Sequence, residues 1–451
     1  MIKIIENIMK RLLPSPFSIA IILTIVIITI ALFFTNNTIL QITAFWENGI
    51  WNAALMNFAM QMMLMLVLGY VIALSESAAI IINKITFFCN NSANAALIVS
   101  FSTIIMSLIN WGLGLVFGAI LARKVGENAI AKNINLNYPL IGAAGYSGLM
   151  VWHGGISGSI PLKVAEKNHF SEIISNPELL FKLPINGINF QETIFSNMNI
   201  TASLLLIIII PCSLFLIGKK QKKTNTFKFE KTDDIKNTIQ KNVVGAEKID
   251  NSIWFSKLIG FSILIIAGHS AISAQSISFI NPNFVNLSLF GLAIFLHKNF
   301  NSFLHAVNKA IISASGILIQ FPLYFGIMGI MNSSGLVDVF ANLFVEISNK
   351  ITYPIFTMLS GGIVNIFVPS GGGQWAVQGP IVIQSALDLN IPISKSIMAL
   401  AYGDQLTNML QPFWALPLLG ITQLKATEIL PYTILIMLLG IAIFSTCLII
   451  F

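Results

Sequence analysis

Asp404 stands in the run Tyr402-Gly403-Asp404-Gln405-Leu406-Thr407-Asn408, inside an otherwise apolar stretch with the length of a helix. A carboxylate in such surroundings is costly to keep, and where one is kept it commonly carries a proton or holds a cation. The competing assignment starts that helix near a wet surface and leaves Asp404 in an aqueous vestibule. Asn408 lies one helical turn further on, and Asn110 and Asn365 fall at related places in two other polar interruptions; the four make a candidate cation set. An amide oxygen joined by freed backbone carbonyls is a reasonable first shell for Na+. An asparagine in such a place also serves as a plain helix cap.

A second set has the chemistry of an anion site. In Pro369-Ser370-Gly371-Gly372-Gly373-Gln374-Trp375, three glycines let the backbone turn and present N–H groups. A helix starting near Gln374 points its positive dipole end at the same place, which suits a carboxylate without any cationic side chain. Glycines also let membrane helices approach closely, so packing is the alternative. Two further interruptions, Asn110-Trp111-Gly112-Leu113-Gly114 and Trp152-His153-Gly154-Gly155-Ile156-Ser157-Gly158-Ser159, have the same small polar character. The candidate substrate residues are therefore Asn110, Gly112, Trp152, Ser157, Ser159, Ser370, Gly371, Gly372, Gly373, Gln374 and Trp375. Trp152, Trp375 and Trp414 are suited to wall an apolar pocket, or to sit at the membrane interface as tryptophan often does. His153 is either a group that titrates near neutral pH or a hydrogen-bonded residue of the break.

The framework that carries these residues is a membrane one. Of 451 residues, 55% are hydrophobic and 10% charged, with a mean hydropathy of +0.82. Soluble domains carry about 25% charged residues, so the chain has too little charge to face water all round. That excludes a soluble enzyme and a disordered chain, and the net charge of +7 reads as topology rather than as a nucleic-acid footprint. The three cysteines, Cys89, Cys212 and Cys447, have neither disulfide nor metal spacing. No metal beyond Na+ and no cofactor is expected. The predicted class is an all-α polytopic protein of about nine full spans.

Within it, 97–122 reads as a re-entrant hairpin around Asn110, and 138–162 as a helix broken at 152–159. A second hairpin spans 353–387 and a second broken helix 395–420. The segment 218–251 holds nine lysines and five acids, a solvated linker expected in the cytoplasm, as is the N-terminus with Lys3, Lys10 and Arg11. It separates a first half, 1–217, from a second, 252–451. Shifting the chain by 256 residues sets Tyr146 on Tyr402 and Pro161-Leu162 on Pro417-Leu418, and brings the hairpins into register. The charge pattern makes the halves opposite in direction, the inverted repeat of many secondary transporters.

Enzyme signatures fail one by one. There is no His-Glu-x-x-His, no Gly-x-Ser-x-Gly and no nucleotide-binding Gly-x-x-x-x-Gly-Lys-[Ser/Thr]. Active transport would therefore draw on an ion gradient. Arg11 and Arg123 are the only arginines, so no buried bidentate clamp for a dicarboxylate or phosphate is visible. One carboxylate with an apolar tail suits the backbone donors and tryptophans better.

Ile109-Asn110-Trp111-Gly112-Leu113-Gly114-Leu115, the run from Trp152 to Leu162, and Val368-Pro369-Ser370-Gly371-Gly372-Gly373-Gln374-Trp375-Ala376-Val377-Gln378-Gly379-Pro380 are familiar motifs. With Ala401-Tyr402-Gly403-Asp404-Gln405 and Gln411-Pro412-Phe413-Trp414-Ala415-Leu416-Pro417, the chain resembles the bacterial short-chain fatty acid transporter family essentially end to end. The resemblance implies uptake of short monocarboxylates such as acetoacetate or butyrate across the inner membrane; the coupling ion, Na+ at the asparagines and tip carbonyls or H+ at Asp404, is an expectation from the residues and not from the family. It also implies a wider superfamily in which paired hairpins cradle substrate and cations, often in homodimers that work by an elevator motion. The partners expected are thus a small carboxylate, the lipid bilayer and a second copy, with no nucleic acid. Two rivals stay open: the same architecture serving a dicarboxylate or other organic anion, and a membrane enzyme or passive channel.

Overall fold

A computed structural model describes residues 14–174, 177–220, 245–273, 281–339 and 348–451. The basic residues of the extreme N-terminus and most of the 218–251 linker lie outside them. Among the described residues the regular structure is helical, with no strand. The helices that frame the site are α1 (Pro16–Phe34), α2 (Ile39–Ile50), α3 (Ala53–Ala73), α4 (Glu76–Phe87), α5 (Ser92–Ile109), α6 (Trp111–Ala131), α7 (Tyr138–Tyr146), α8 (Ser159–Val164) and α9 (Asn197–Lys220). They continue as α10 (Ile253–Ser273), α11 (Pro282–Leu296), α12 (Phe300–Ala310), α13 (Ser315–Ser333), α14 (Tyr353–Phe367), α15 (Gly371–Asp388), α16 (Ile393–Thr407), α17 (Pro412–Thr422) and α18 (Ala426–Ile450). Seven described helical segments are long and apolar enough to cross a membrane, α12 and α13 counting as one continuous stretch of 34 residues. Helices α11, α14 and α17 are apolar but shorter. The chain is a polytopic α-helical membrane protein.

Two helix pairs are antiparallel hairpins. In α5–α6, the space beside Gly114 is taken by Ser107 and that beside Gly118 by Thr103. In α14–α15, Gln374 donates to the Gly361 carbonyl, Gln378 to Ser360, and the Tyr353 hydroxyl to the Val382 carbonyl. The α5 and α6 arms have 18 and 21 residues, longer than the half-length arms that the apolar pattern suggests. The extension has local causes. Asn91 caps α5 by accepting the Asn94 N–H at 2.9 Å. At the far end, Arg123 and Lys124 both pair with Glu127, at 2.7 and 2.9 Å, so charge ends in ion pairs within α6 rather than ending the helix.

Two more helices are interrupted. Helix α7 tightens into a 3-10 turn (Ser147–Val151), and irregular backbone over 152–158 precedes α8. Helices α16 and α17 are separated by 408–411, where Pro412 at the first position of α17 supplies no backbone N–H. Glycines let these elements pack at backbone distance. A Cβ on Gly118 would stand 2.1 Å from the Gly145 carbonyl oxygen, and one on Gly403 2.0 Å from that of Met358. The first contact joins α6 to α7 and the second joins α14 to α16, so each hairpin is pressed against the interrupted helix beside it.

Candidate functional site

The two breaks meet in the interior, and a pair of titratable groups joins them. His153, in the first break, and Asp404, in the last turns of α16, are both 0% exposed. The imidazole Nε2 lies 2.9 Å from the carboxylate Oδ1. The His153 backbone N–H donates to Gln405 Oε1 at 2.8 Å, so two successive residues of α16 hold the one histidine. Trp152 stacks on the other side of the ring, with centroids 4.9 Å apart. Asp404 Oδ2 and His153 Nδ1 have no protein partner. The carboxylate and the imidazole form one buried hydrogen-bonded pair between the two interrupted helices.

The second hairpin's tip closes over that pair. Ser370 caps α15 by accepting the Gly373 N–H, and Gly371 lies directly against the histidine. A Cβ at 371 would stand 2.5 Å from His153 Cε1 and 3.4 Å from the Cβ of Ser159. Gly372 differs: a Cβ there would meet nothing within 4 Å, so this part of the tip borders open space. Gln374 is buried; its Nε2 donates to Gly361 and to Gln378, while its Oε1 has no partner.

Asn365 is not at this tip. It sits in the last turns of α14, where its Nδ2 reaches the Asp404 carbonyl at 2.8 Å, Thr407 Oγ1 at 3.0 Å and Asn408 Oδ1 at 2.9 Å. Gln411 donates to the same Asn408 oxygen. Asn365 thus ties the second hairpin to the second break, and its own Oδ1 is unpartnered and buried. Asn110 occupies a different place in its hairpin. It is the extended residue between α5 and α6, with Oδ1 accepting the Leu113 N–H as a helix cap.

The other candidates divide. Ser157 accepts the Trp111 N–H at 2.9 Å and ties the first tip to the first break. Gly112 packs against Met65 of α3. Trp152 stacks on Trp111 at 4.3 Å and meets Trp414 edge-on at 4.8 Å, forming an aromatic cluster over the breaks. Trp375 lies outside this cluster: its indole N–H donates to His169 Nε2 at 2.9 Å. It belongs to an apolar cluster in which Val164 of α8, and Phe170 and Leu183 between α8 and α9, pack on α15 and α16. Of the three tryptophans expected to share a pocket wall, Trp152 and Trp414 lie together with Trp111, and Trp375 lies apart on His169.

Comparison with known proteins bears on the whole chain. The family model described as "Short chain fatty acid transporter" matches residues 1–451. The chain belongs to the short-chain fatty acid transporter family. Two relatives, one from Escherichia coli (strain K12) and one from Haemophilus influenzae (strain ATCC 51907 / DSM 11121 / KW20 / Rd), both provisionally named short-chain fatty acid transporters, are each 34% identical. The first match covers 96% of both chains, the second 94% of this chain and 93% of its relative. A crystal structure of the Alcanivorax borkumensis YdaH transporter aligns over 96% of this chain and 98% of that one at 13% identity. Its TM-score of 0.47 is too low to argue from.

This member of the short-chain fatty acid transporter family is thus a multi-pass membrane transporter and not an enzyme, and its interior holds further polar groups that join the two breaks. Three of them escape a reading of spacing. Gln405 adjoins Asp404 but declares itself only by its contact with His153. Tyr146 donates to the Asn408 carbonyl at 2.7 Å, and Tyr402 to Asn199, which in turn holds the Gly154 carbonyl. Each tyrosine thereby secures the break of the opposite half, and their alignment at a shift of 256 residues was the available signal.

Proposed function

We propose that this chain is a secondary active transporter of short monocarboxylates such as butyrate or acetoacetate, driven by a proton exchanged at the His153–Asp404 pair. The observation that carries this reading is the pair itself: two fully buried titratable groups from the two interrupted helices, 2.9 Å apart, under a glycine tip. The carboxylate of the substrate would lie at the open N–H face around Gly372, where the start of the 18-residue α15 favours negative charge. The halves would act as inverted repeats moving in an elevator fashion, as a homodimer in a bacterial inner membrane, with the N-terminus cytoplasmic. Sodium coupling is the second reading, favoured by the buried, unpartnered Asn365 Oδ1 beside the Asp404 segment.

Uptake of labelled butyrate into proteoliposomes tests the reading. Saturable accumulation that a protonophore collapses, and that survives replacement of Na+ by choline, is the expected result. Loss on choline replacement selects Na+ instead. Absence of saturable, gradient-driven uptake for every short monocarboxylate tried overturns the reading. Gradient-driven uptake of labelled succinate that butyrate does not inhibit points to a dicarboxylate carrier, and uptake indifferent to any gradient to a passive channel.

A further inference from the structure

The first three residues of α15 point in directions about 100° apart around the helix, and each meets different surroundings. At Gly371 the neighbours are polar: a Cβ would stand 2.5 Å from His153 Cε1, 2.9 Å from its Nε2 and 3.4 Å from the Cβ of Ser159. At Gly373 a Cβ would stand 3.1 Å from Ser370 Oγ, within the tip, and 3.4 Å from Met328 Cε of α13. Gly372 lies between the two, and its side is open. Ser159, Ser370, Gly372 and Gly373 all keep accessible surface. The open space thus has a polar flank at His153 and Ser159 and an apolar flank at the Met328 thioether methyl.

The tip's spare donors belong to the polar flank. Ser370 takes the Gly373 N–H with its hydroxyl and the Gln374 N–H with its carbonyl. The N–H groups of Gly371 and Gly372 remain as first-turn donors. Helix α13, by contrast, offers nothing to an anion. It carries no Asp, Glu, Lys, Arg or His, and Met328 shares a buried face with Phe321, Tyr324 and Phe325. A carboxylate turned toward that face would exchange water for a methyl group, at high cost. An alkyl chain turned the same way gains burial with each methylene. The first tip also has a methionine, but no gap: a Cβ on Gly112 would stand 2.7 Å from Met65 Sδ.

We infer that Met328 is the specificity-determining residue for the substrate's tail. The carboxylate lies at the Gly371 and Gly372 N–H groups, and the alkyl chain crosses the open side of Gly372 to end on Met328, whose side chain sets how many carbons fit. The inference rests on the reading that a short carboxylate binds at this tip; it adds which end faces which helix and what limits the length. The same contact selects against a dicarboxylate, whose second charge would be pressed onto the thioether.

Competition for labelled butyrate uptake into proteoliposomes of the full chain, by unlabelled acetate, hexanoate and succinate, tests it. Ratios between acids in one preparation are independent of how much of the protein is folded. Met328→Ala takes three heavy atoms from the wall and should improve hexanoate relative to butyrate by about tenfold, at roughly fourfold per methylene newly buried. Met328→Leu, close in volume, should keep the wild-type order of acids, and Met328→Phe should move the preference toward acetate. Met65→Ala makes the same deletion at the first tip and should leave the order unchanged. Succinate, with the four carbons of butyrate, should compete with the wild type at least about tenfold less well than unlabelled butyrate. An order unchanged in Met328→Ala, or shifted equally by Met65→Ala, overturns the inference while short-acid transport stands. Succinate competing as well as butyrate overturns it too. If the wild type takes up no short acid at all, the broader reading fails and the inference with it.

Discussion

Each hairpin grips the break beside it, but the two grips are made differently. In the first, the Trp111 N–H is taken by Ser157, the Ile156 N–H by the Leu108 carbonyl at 2.8 Å, and Asn110 spends its oxygen on a cap. Gly155 lies so close that a Cβ would stand 2.6 Å from the Leu108 oxygen. What stays unpartnered there is the hydroxyls of Thr103 and Ser107, the Trp152 indole and His153 Nδ1, on the ring that reaches across to Asp404. In the second, Asn365, Gln374, Asn408, Gln411 and one oxygen of Asp404 all keep a buried, unsatisfied atom. Buried polar groups are normally paired, and it is this concentration that the proposed site draws on. On the proposed reading the first grip, made mainly through backbone, is an anchor, and the second is a receptor.

The largest test of that contrast is Asp404→Asn. It keeps the shape and a hydrogen-bonding group near His153 but removes the proton site. Proton-driven accumulation should fall by about 100-fold or more, the scale of losing a proton-transfer group, while exchange of labelled for unlabelled butyrate across the membrane continues. Accumulation at the wild-type level would take Asp404 out of coupling.

Next come paired glycine substitutions. Gly372→Leu enters open space, so thermal stability should hold while uptake is abolished. Gly155→Ala should do the reverse, lowering stability by about 1–3 kcal/mol through overpacking against backbone, with transport falling only as folded protein falls. Measuring melting temperature and uptake per folded molecule separates them. Equal behaviour of the two variants would erase the distinction between anchor and receptor.

Asn365→Ala should also abolish uptake. It strands the Asp404 carbonyl and takes one of two donors from the Asn408 oxygen, costing about 1–3 kcal/mol, so folding should weaken but persist. Uptake per folded molecule at the wild-type level would reduce Asn365 to a brace.

How much of this could be read from the residues alone follows from the range of each interaction. The all-helical membrane class, the glycine tip at 371–373 and the isolation of Asp404 are local properties of composition and spacing. Ser370 as a cap is local too, three residues from the N–H it accepts. The partner of Asp404 is 251 residues away, and that of Trp375 is 206. No periodicity encodes such pairings, so His153 looked like an isolated histidine and Trp375 like a pocket wall. Asn110 and Asn365 looked equivalent because they nearly coincide at the repeat shift. A difference of a few residues along a helix end places one at the turn and turns the other toward a neighbouring helix.

The smallest effect is the most discriminating for that last pair. Asn110→Ser keeps a capping oxygen and should change stability by a few tenths of a kcal/mol, whereas Asn110→Ala should cost about 1 kcal/mol. If the Asn110 amide does no more than cap α6, uptake by the serine variant stays near wild type and the alanine variant loses only what stability loses. Abolished uptake with Asn110→Ser, at normal stability, would place the first tip in the substrate or cation site. The first hairpin would then be a second receptor, and its satisfied hydrogen bonds would describe only one state of a cycle in which the two halves exchange roles.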